Sequence, residues 1–231
     1  MRIIAEIGQN HNGDMTLASE LIKAAKRGGA DVAKFQVYSA KDLFPKENNP
    51  WYEYNCKTEL SFEKLKTLKE LCDKENIEFM ASVFDIERIS WLEELKVSTY
   101  KIASRSINDE SLILNVIKTK KPVLISLGMW NQKDLPSYKG DIKYLYCISK
   151  YPTPLEDINF SEIDFDKYYG FSDHSVGNTA SIIALSRGAQ LIEKHFTLDK
   201  NMYGPDHSGS MTEEELKELS NFRDNIGLCL R

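Results

Sequence analysis

The sequence predicts a closed (β/α)8 barrel, and three observations carry that prediction. Eight short runs of strand character recur at 2–8, 31–37, 78–84, 99–104, 122–128, 142–148, 168–174 and 191–197. Segments of helical period separate several of them, and strands alternating with helices imply parallel βαβ units. Eight units in a chain of 231 residues favour a closed barrel over an open sheet, standing as a single domain over 1–231.

Each element follows in order. Arg2-Ile3-Ile4-Ala5-Glu6-Ile7-Gly8 opens the chain as a buried strand, and Leu17, Leu21, Ala24 and Ala25 then form one face of a helix. After the second strand, residues 38–60 contain Pro45, Pro50, Trp51 and Tyr52 and read as a long irregular loop covering the barrel mouth, of the kind that usually carries function. Ser61-Phe62-Glu63-Lys64 is a capping box with Lys64 imperfect at its third helical position, ahead of a face made by Leu65, Leu68 and Cys72. The fifth and sixth units are weak, because 130–138 and 158–165 are short and poorly periodic. The last helix starts at Thr212, with Glu213, Glu214 and Glu215 favouring its dipole, and shows Leu216, Leu219, Phe222 and Ile226 on one face.

Composition excludes several classes. Glu6 interrupts what would be the apolar region of a secretion signal, and no run is long enough to span a bilayer, so a cytoplasmic location with no membrane partner is expected. Cys56, Cys72, Cys147 and Cys229 are widely spaced and read as free thiols, with Cys147 a core residue. A net charge of -5 with interspersed Lys and Arg gives no basic stripe for nucleic acid, which leaves small molecules as the expected partners.

Barrel enzymes place their chemistry at the C-terminal strand ends, and the unusual residues of this chain fall there. Glu6, then Lys34 and Gln36, Ser82, Lys101 and Ser104, Ser126, Ser149 and Tyr151, Ser172 and His174, and Glu193 and His195 mark the ends of successive strands. The four histidines all lie in polar motifs, a pattern that reads as one site in construction. Lys34 and Lys101 break apolar runs and are costly to bury unpartnered. Either an anionic ligand meets them, or each points outward to a helix carboxylate. Alternation puts Glu193 and His195 on one face and Lys194 on the other, so Lys194 is expected to be structural. His174 and His195, at the ends of neighbouring strands, suit a divalent cation, against the plainer reading of hydrogen-bonded core histidines. Asp206 and His207 follow a Tyr-Gly-Pro turn signal.

These residues also stand in a recognisable order. The run 5–14 (AEIGQNHNGD), 29–36 (GADVAKFQ), 101–104 (KIAS), 126–129 (SLGM), 151–154 (YPTP), 170–175 (GFSDHS), 193–197 (EKHFT) and 204–207 (GPDH) resembles the sialic acid synthase family of nonulosonate synthases along essentially the whole chain. The resemblance implies a barrel that condenses phosphoenolpyruvate with an N-acetylated amino-hexose, N-acetylmannosamine or a modified relative, giving a nine-carbon 2-keto acid and phosphate. It implies Mn or Mg held by His174 and His195. It further implies that Lys34, Lys101, Ser82, Ser104, Ser126, Ser149, Tyr151 and Ser172 hold phosphoenolpyruvate. Glu6, Gln36, Glu193 and Asp206 would then surround the reacting centre and sugar, with Asn10 also on the substrate side, in a homodimer.

Two departures qualify that expectation. Arg105-Ser106 stands where the family reads Gly followed by an acid, which changes the sugar side of the site. The family's small C-terminal antifreeze-like domain has no counterpart within 1–231, so a separate protein supplying that cap, or the 38–60 loop, is expected to serve instead. Other readings are a phosphoenolpyruvate-dependent synthase with a different acceptor and a non-catalytic sugar-binding paralogue.

Overall fold

Eight parallel strands close on themselves in sequence order in the computed structural model, which describes residues 1–230. The strands are β1 (Arg2–Gly8), β2 (Val32–Val37), β3 (Glu78–Val83), β4 (Tyr100–Ile102), β5 (Val123–Ser126), β6 (Ile142–Cys147), β7 (Gly170–Asp173) and β8 (Leu191–His195). Each lies within one of the runs expected from sequence, trimmed by at most two residues at an end. The outer ring is α1 (Met15–Arg27), α2 (Ala40–Leu43), α3 (Tyr52–Thr58), α4 (Phe62–Lys74), α5 (Glu87–Glu94), α6 (Glu110–Ile117), α7 (Thr179–Ser186) and α8 (Glu213–Cys229).

Alternation divides the strand residues into two cores. Ile4, Val32, Met80, Leu124, Leu145 and Leu191 face inward and plug the lower barrel as a small separate cluster. The residues between them, such as Ile3, Ala5, Ala33, Phe35, Phe79, Ala81 and Ile192, face outward and merge with the helix stripes into the main core. A period of two therefore places Glu6 two residues above Ile4, Lys34 two above Val32, Ser82 above Met80, Ser126 above Leu124, and Glu193 above Leu191, stacking polar groups directly on the apolar plug.

The helix starts follow their caps. Asp14 accepts from the amides of Thr16 and Leu17 to begin α1, Ser61 accepts from Lys64 N at 3.3 Å to begin α4, and Thr212 and Glu215 complete a reciprocal capping box on α8. The fifth and sixth units lack α-helices, and the sixth has only 3-10 turns at Leu155–Asp157 and Phe160–Glu162. Two expectations need correcting. Residues 38–60 are not irregular throughout, since they contain α2 and α3, helices too short to show a period in sequence. Phe222 of α8 is 40 % exposed rather than part of the buried face, which ends with Leu216, Leu219 and Ser220.

Candidate active site

The barrel mouth holds two connected cavities. The inner one, of about 60 Å3, is bordered by Glu6, Lys34, Gln36, Ser82, Lys101, Ala103, Ser104, Ser126, Tyr151, Ser172, His174, Glu193, Lys194 and His195. The outer one, of about 620 Å3, shares Gln36, Ala103, Ser104, Tyr151 and His195 with it and extends to Phe44, Trp51, Asn55, Arg105, Ser149 and Asp206. The structure thus brings nearly every sequence-derived candidate to one place.

Ladder register explains the convergence at the floor. Glu6 pairs with Lys34 across β1 and β2, and Gln36 aligns with Ser82, which in turn aligns with Lys101. Lys34 Nζ lies 2.7 Å from Glu6 Oε2 and 3.6 Å from Glu193 Oε2, and it donates to Ser82 Oγ at 2.8 Å. Lys101 Nζ lies 3.7 Å from Glu193 Oε1 and donates to Ser126 Oγ at 2.8 Å. Ser172 donates to Glu193 at 3.0 Å, and Gln36 donates to Glu6 at 3.1 Å. Both lysines are almost fully buried, at 2 % and 1 % exposure. Neither turns outward to a helix; Lys34 is matched by Glu6 of the neighbouring strand and Lys101 by Glu193 from across the barrel.

This quartet separates the two acids. Burial pushes the Glu6 carboxyl up, and nearby Glu193 adds to that against the opposing pull of Lys34. Burial also works against charge on Glu193, yet Lys101 and Lys34 on either side hold its carboxyl well below the usual range. Burial likewise lowers the Lys101 ammonium.

The two site histidines face each other with ring centroids 5.9 Å apart. His174 Nδ1 sits 2.8 Å from Ile148 O, a carbonyl that accepts only, so that nitrogen carries the proton and Nε2 keeps its lone pair. His195 Nδ1 is buried with no partner. Tyr151 packs on His174, 4.1 Å between centroids. Gly128 permits a tight cluster beside them: a Cβ there would come within 2.5 Å of Ser149 Oγ and 3.0 Å of Ser104 Oγ, and the Gly128 amide donates to Ser104. The Ser149 hydroxyl is buried and unpartnered.

Four placements differ from expectation. Asn10 borders neither cavity; its amide donates to Phe196 O and Ser210 Oγ and ties β1 to the loops after β8. His11 is buried against Phe35 on the outer side of the barrel, its Nδ1 accepting from Gly13 N. His207 joins Thr197 and Asn12. Only two of the four histidines therefore belong to the site, because polar loops around a barrel mouth need interior hydrogen bonds of their own. Cys147, read as a core residue, is indeed buried but lies under the site, 3.3 Å from Ser104 Oγ and 3.8 Å from His174 Nδ1. Its position two residues after inward-facing Leu145 was the available signal. The structural reading of Lys194 agrees with the geometry: its ammonium leaves the cavity to meet Asp173 at 3.0 Å.

Sequence reasoning gave Trp51 a covering role but missed the contacts that hold the rim. Trp51, Tyr54 and Tyr203 pack together with centroids 5.4 to 5.9 Å apart, joining the β2 and β8 loops. The Tyr54 hydroxyl lies 2.7 Å from Asn12 Oδ1 and 3.0 Å from Gln9 O, within hydrogen-bond reach of both, which anchors α3 against the β1 loop.

Comparison with known proteins is consistent with this geometry. Residues 21–229 match the NeuB family. An uncharacterized protein of Methanocaldococcus jannaschii is 43 % identical over 232 residues, covering 95 % of this chain and 68 % of that protein. An N,N'-diacetyllegionaminic acid synthase of Legionella pneumophila is 37 % identical over 247 residues, covering 94 % of this chain and 69 % of its own length. The crystal structure of an N-acetylneuraminic acid (sialic acid) synthetase from Leptospira borgpetersenii, in complex with citrate, superposes with a TM-score of 0.90 at 32 % identity, over 99 % of this chain and 84 % of that one.

Proposed function

Because this chain belongs to the NeuB family, we propose that its barrel mouth joins phosphoenolpyruvate to the aldehyde carbon of an N-acetylated amino-hexose, N-acetylmannosamine or a modified relative. The products are a nine-carbon 2-keto sugar acid, a nonulosonate, and phosphate. The observation that carries the reading is the floor of the inner cavity, where Lys34 and Lys101 meet Glu6, Glu193, Ser82, Ser126 and Ser172 beneath two facing imidazoles.

That floor suits the substrate's charge. Phosphoenolpyruvate carries a phosphate and a carboxylate, and two ammonium groups with a ring of hydroxyls supply charge-assisted donors to both. The lysines are already partnered, so they are preorganised rather than mobile, and their positions cost little further ordering when substrate arrives. The acids divide the proton work. Glu193, held ionised by two lysines, stabilises positive charge, while Glu6, with its carboxyl raised, is the group that gives or takes a proton. Gln36 keeps Glu6 oriented through its amide. In this reading Ser104, Ser149 and Tyr151 border the substrate above the floor, and Asp206 and Gln36 contact the sugar.

His174 and His195 fit a divalent ion, Mn or Mg. The Ile148 carbonyl fixes one imidazole's tautomer with Nε2 free, and His195 has a buried nitrogen without a protein partner. Among the described residues no group of three or more His, Cys, Asp and Glu is placed to hold an ion alone, so substrate or water would complete the shell, as a catalytic site requires. An ion bound there supplies Lewis acidity toward the aldehyde oxygen.

The exposed rim, with Tyr203 at 71 % and Tyr151 at 60 % exposure, supports covering of the sugar by a homodimer partner or by a separate capping protein over this single-barrel domain. No helix is long and apolar enough to cross a membrane, and the use of phosphoenolpyruvate supports a cytoplasmic site of action. The test is incubation with phosphoenolpyruvate, Mn and a panel of 2-acetamido and 2,4-diacetamido hexoses. Phosphate release that depends on one of these sugars supports the reading; release with none of them refutes it.

A further inference from the structure

Arg105 is the one arginine or lysine that borders the outer cavity. The inner lysines are matched by carboxylates, and Arg2, Arg27, Arg88 and Arg223 each pair with an acid. Arg105 has no such partner among the described residues. It is nevertheless held in place, with its guanidinium carbon 4.9 Å from the centre of the Phe44 ring and one Nη donating to Leu43 O at 3.2 Å. The contacts tie the turn after β4 to the loop after β2, and Ser104 and Ser106 on either side are buried, which fixes the backbone from which the side chain springs. One of five N–H donors is used. The rest of a stacked, oriented fork is left to face a cavity lined by amides, hydroxyls, aromatic rings and one carboxylate, that of Asp206, which lies beyond ion-pair distance of the guanidinium.

Position within the cavities gives that fork a direction. Gln36, Ser104, Tyr151 and His195 border both cavities, whereas Arg105 and Phe44 border only the outer one. An acceptor whose reacting carbon meets phosphoenolpyruvate at the shared boundary extends its far end toward Arg105. We propose that Arg105 is a specificity-determining residue that reads an anionic substituent, a phosphate ester or a carboxylate, at the end of the sugar remote from the reacting aldehyde. A guanidinium fork rewards a bidentate anion over a lone hydroxyl, and a neutral sugar leaves its donors unmatched.

This inference rests on the condensation reading above, so its test has a readout that does not require turnover. Calorimetric binding in the presence of Mn is compared for a neutral 2-acetamido hexose, its 6-phosphate and its 6-uronate. At least one anionic form binds roughly 10- to 100-fold more tightly to the unaltered protein, the worth of a hydrogen-bonded charge. Raising the salt concentration shrinks the ratio. Arg105→Gln, which keeps much of the packing on Phe44, and Arg105→Ala both bring the ratio close to one, and Arg105→Lys retains part of it. The phosphate and carboxylate arms identify which anion is read. Equal affinity for neutral and anionic sugars, no binding of any of them, or a preference that survives both Arg105→Gln and Arg105→Ala overturns the proposal. Should an anionic sugar bind through Arg105 while no sugar supports phosphate release, the condensation reading fails and the assignment of Arg105 stands.

Discussion

Replacing Lys194 with Met separates structural from chemical lysines. Lys194 and Asp173 are both essentially inaccessible and lie 3.0 Å apart, and the ammonium also donates to Ser175 O. Removing the cation leaves a buried carboxylate that keeps three donors, from Ser175 N, Ser175 Oγ and Ser181 Oγ. Breaking such a pair typically costs about 3–5 kcal/mol, and the retained donors place Lys194→Met toward the low end, about 3 kcal/mol. For a chain of this length each kcal/mol moves the melting temperature by about 2–4 °C, so a fall of roughly 10 °C is expected. Adding Asp173→Asn removes the orphaned charge and returns part of the loss, which a double-mutant cycle in urea would register as coupling. Measured at a temperature where the variant is folded, kcat/KM with the preferred sugar stays within a few-fold of the unaltered enzyme. An unchanged melting temperature together with a collapse of kcat/KM in Lys194→Met would instead place the ammonium's role in the cavity and overturn its structural assignment.

Lys34→Ala and Lys101→Ala should each remove about 2–4 kcal/mol of transition-state stabilisation, a fall of roughly 30- to 1000-fold in kcat/KM. Steady-state kinetics on folded variants checks this. His174→Ala and His195→Ala should each abolish both the response to added Mn and tight Mn binding by calorimetry, while circular dichroism shows the barrel intact. His11 makes a pH prediction: burial, with a smaller push from Lys64, lowers its imidazole from 6.5 to about 4. The folded protein therefore resists protonation there. Its contribution is intact above pH 6.5 and is lost as pH falls toward 4, by about 3 kcal/mol. Urea unfolding at pH 7.5 and 4.5 should show a difference that shrinks by about that amount in His11→Gln, and an unchanged difference would remove His11 from the explanation.

Much of the site was legible because a strand's period is two. Once Ile4, Val32, Met80, Leu124 and Leu191 are recognised as inward residues, Glu6, Lys34, Ser82, Ser126 and Glu193 follow as the layer above them, and Lys194 directs its ammonium to Asp173. Register between strands was not legible. That is why Lys34 and Lys101 looked like cations awaiting an anion, although Glu6 stands beside Lys34 on the adjacent strand and Glu193 reaches both from β8 across the barrel. Loops hid the rest. His11, His207 and Asn10 share the polar surroundings of the cavity-lining residues, and only their partners reveal that they pin the mouth loops. The helices α2 and α3, of four and seven residues, fall below the length at which apolar spacing separates a helix from a turn.

A barrel that works this way forms a carbon–carbon bond between phosphoenolpyruvate and an amino sugar. The most direct test of that bond is mass spectrometry of the products made from uniformly 13C-labelled phosphoenolpyruvate with the best sugar of the panel, alongside a phosphate assay. All of the labelled carbons are expected in one nine-carbon keto acid, formed in equal amount with phosphate. Labelled pyruvate together with free phosphate and unchanged sugar would contradict it.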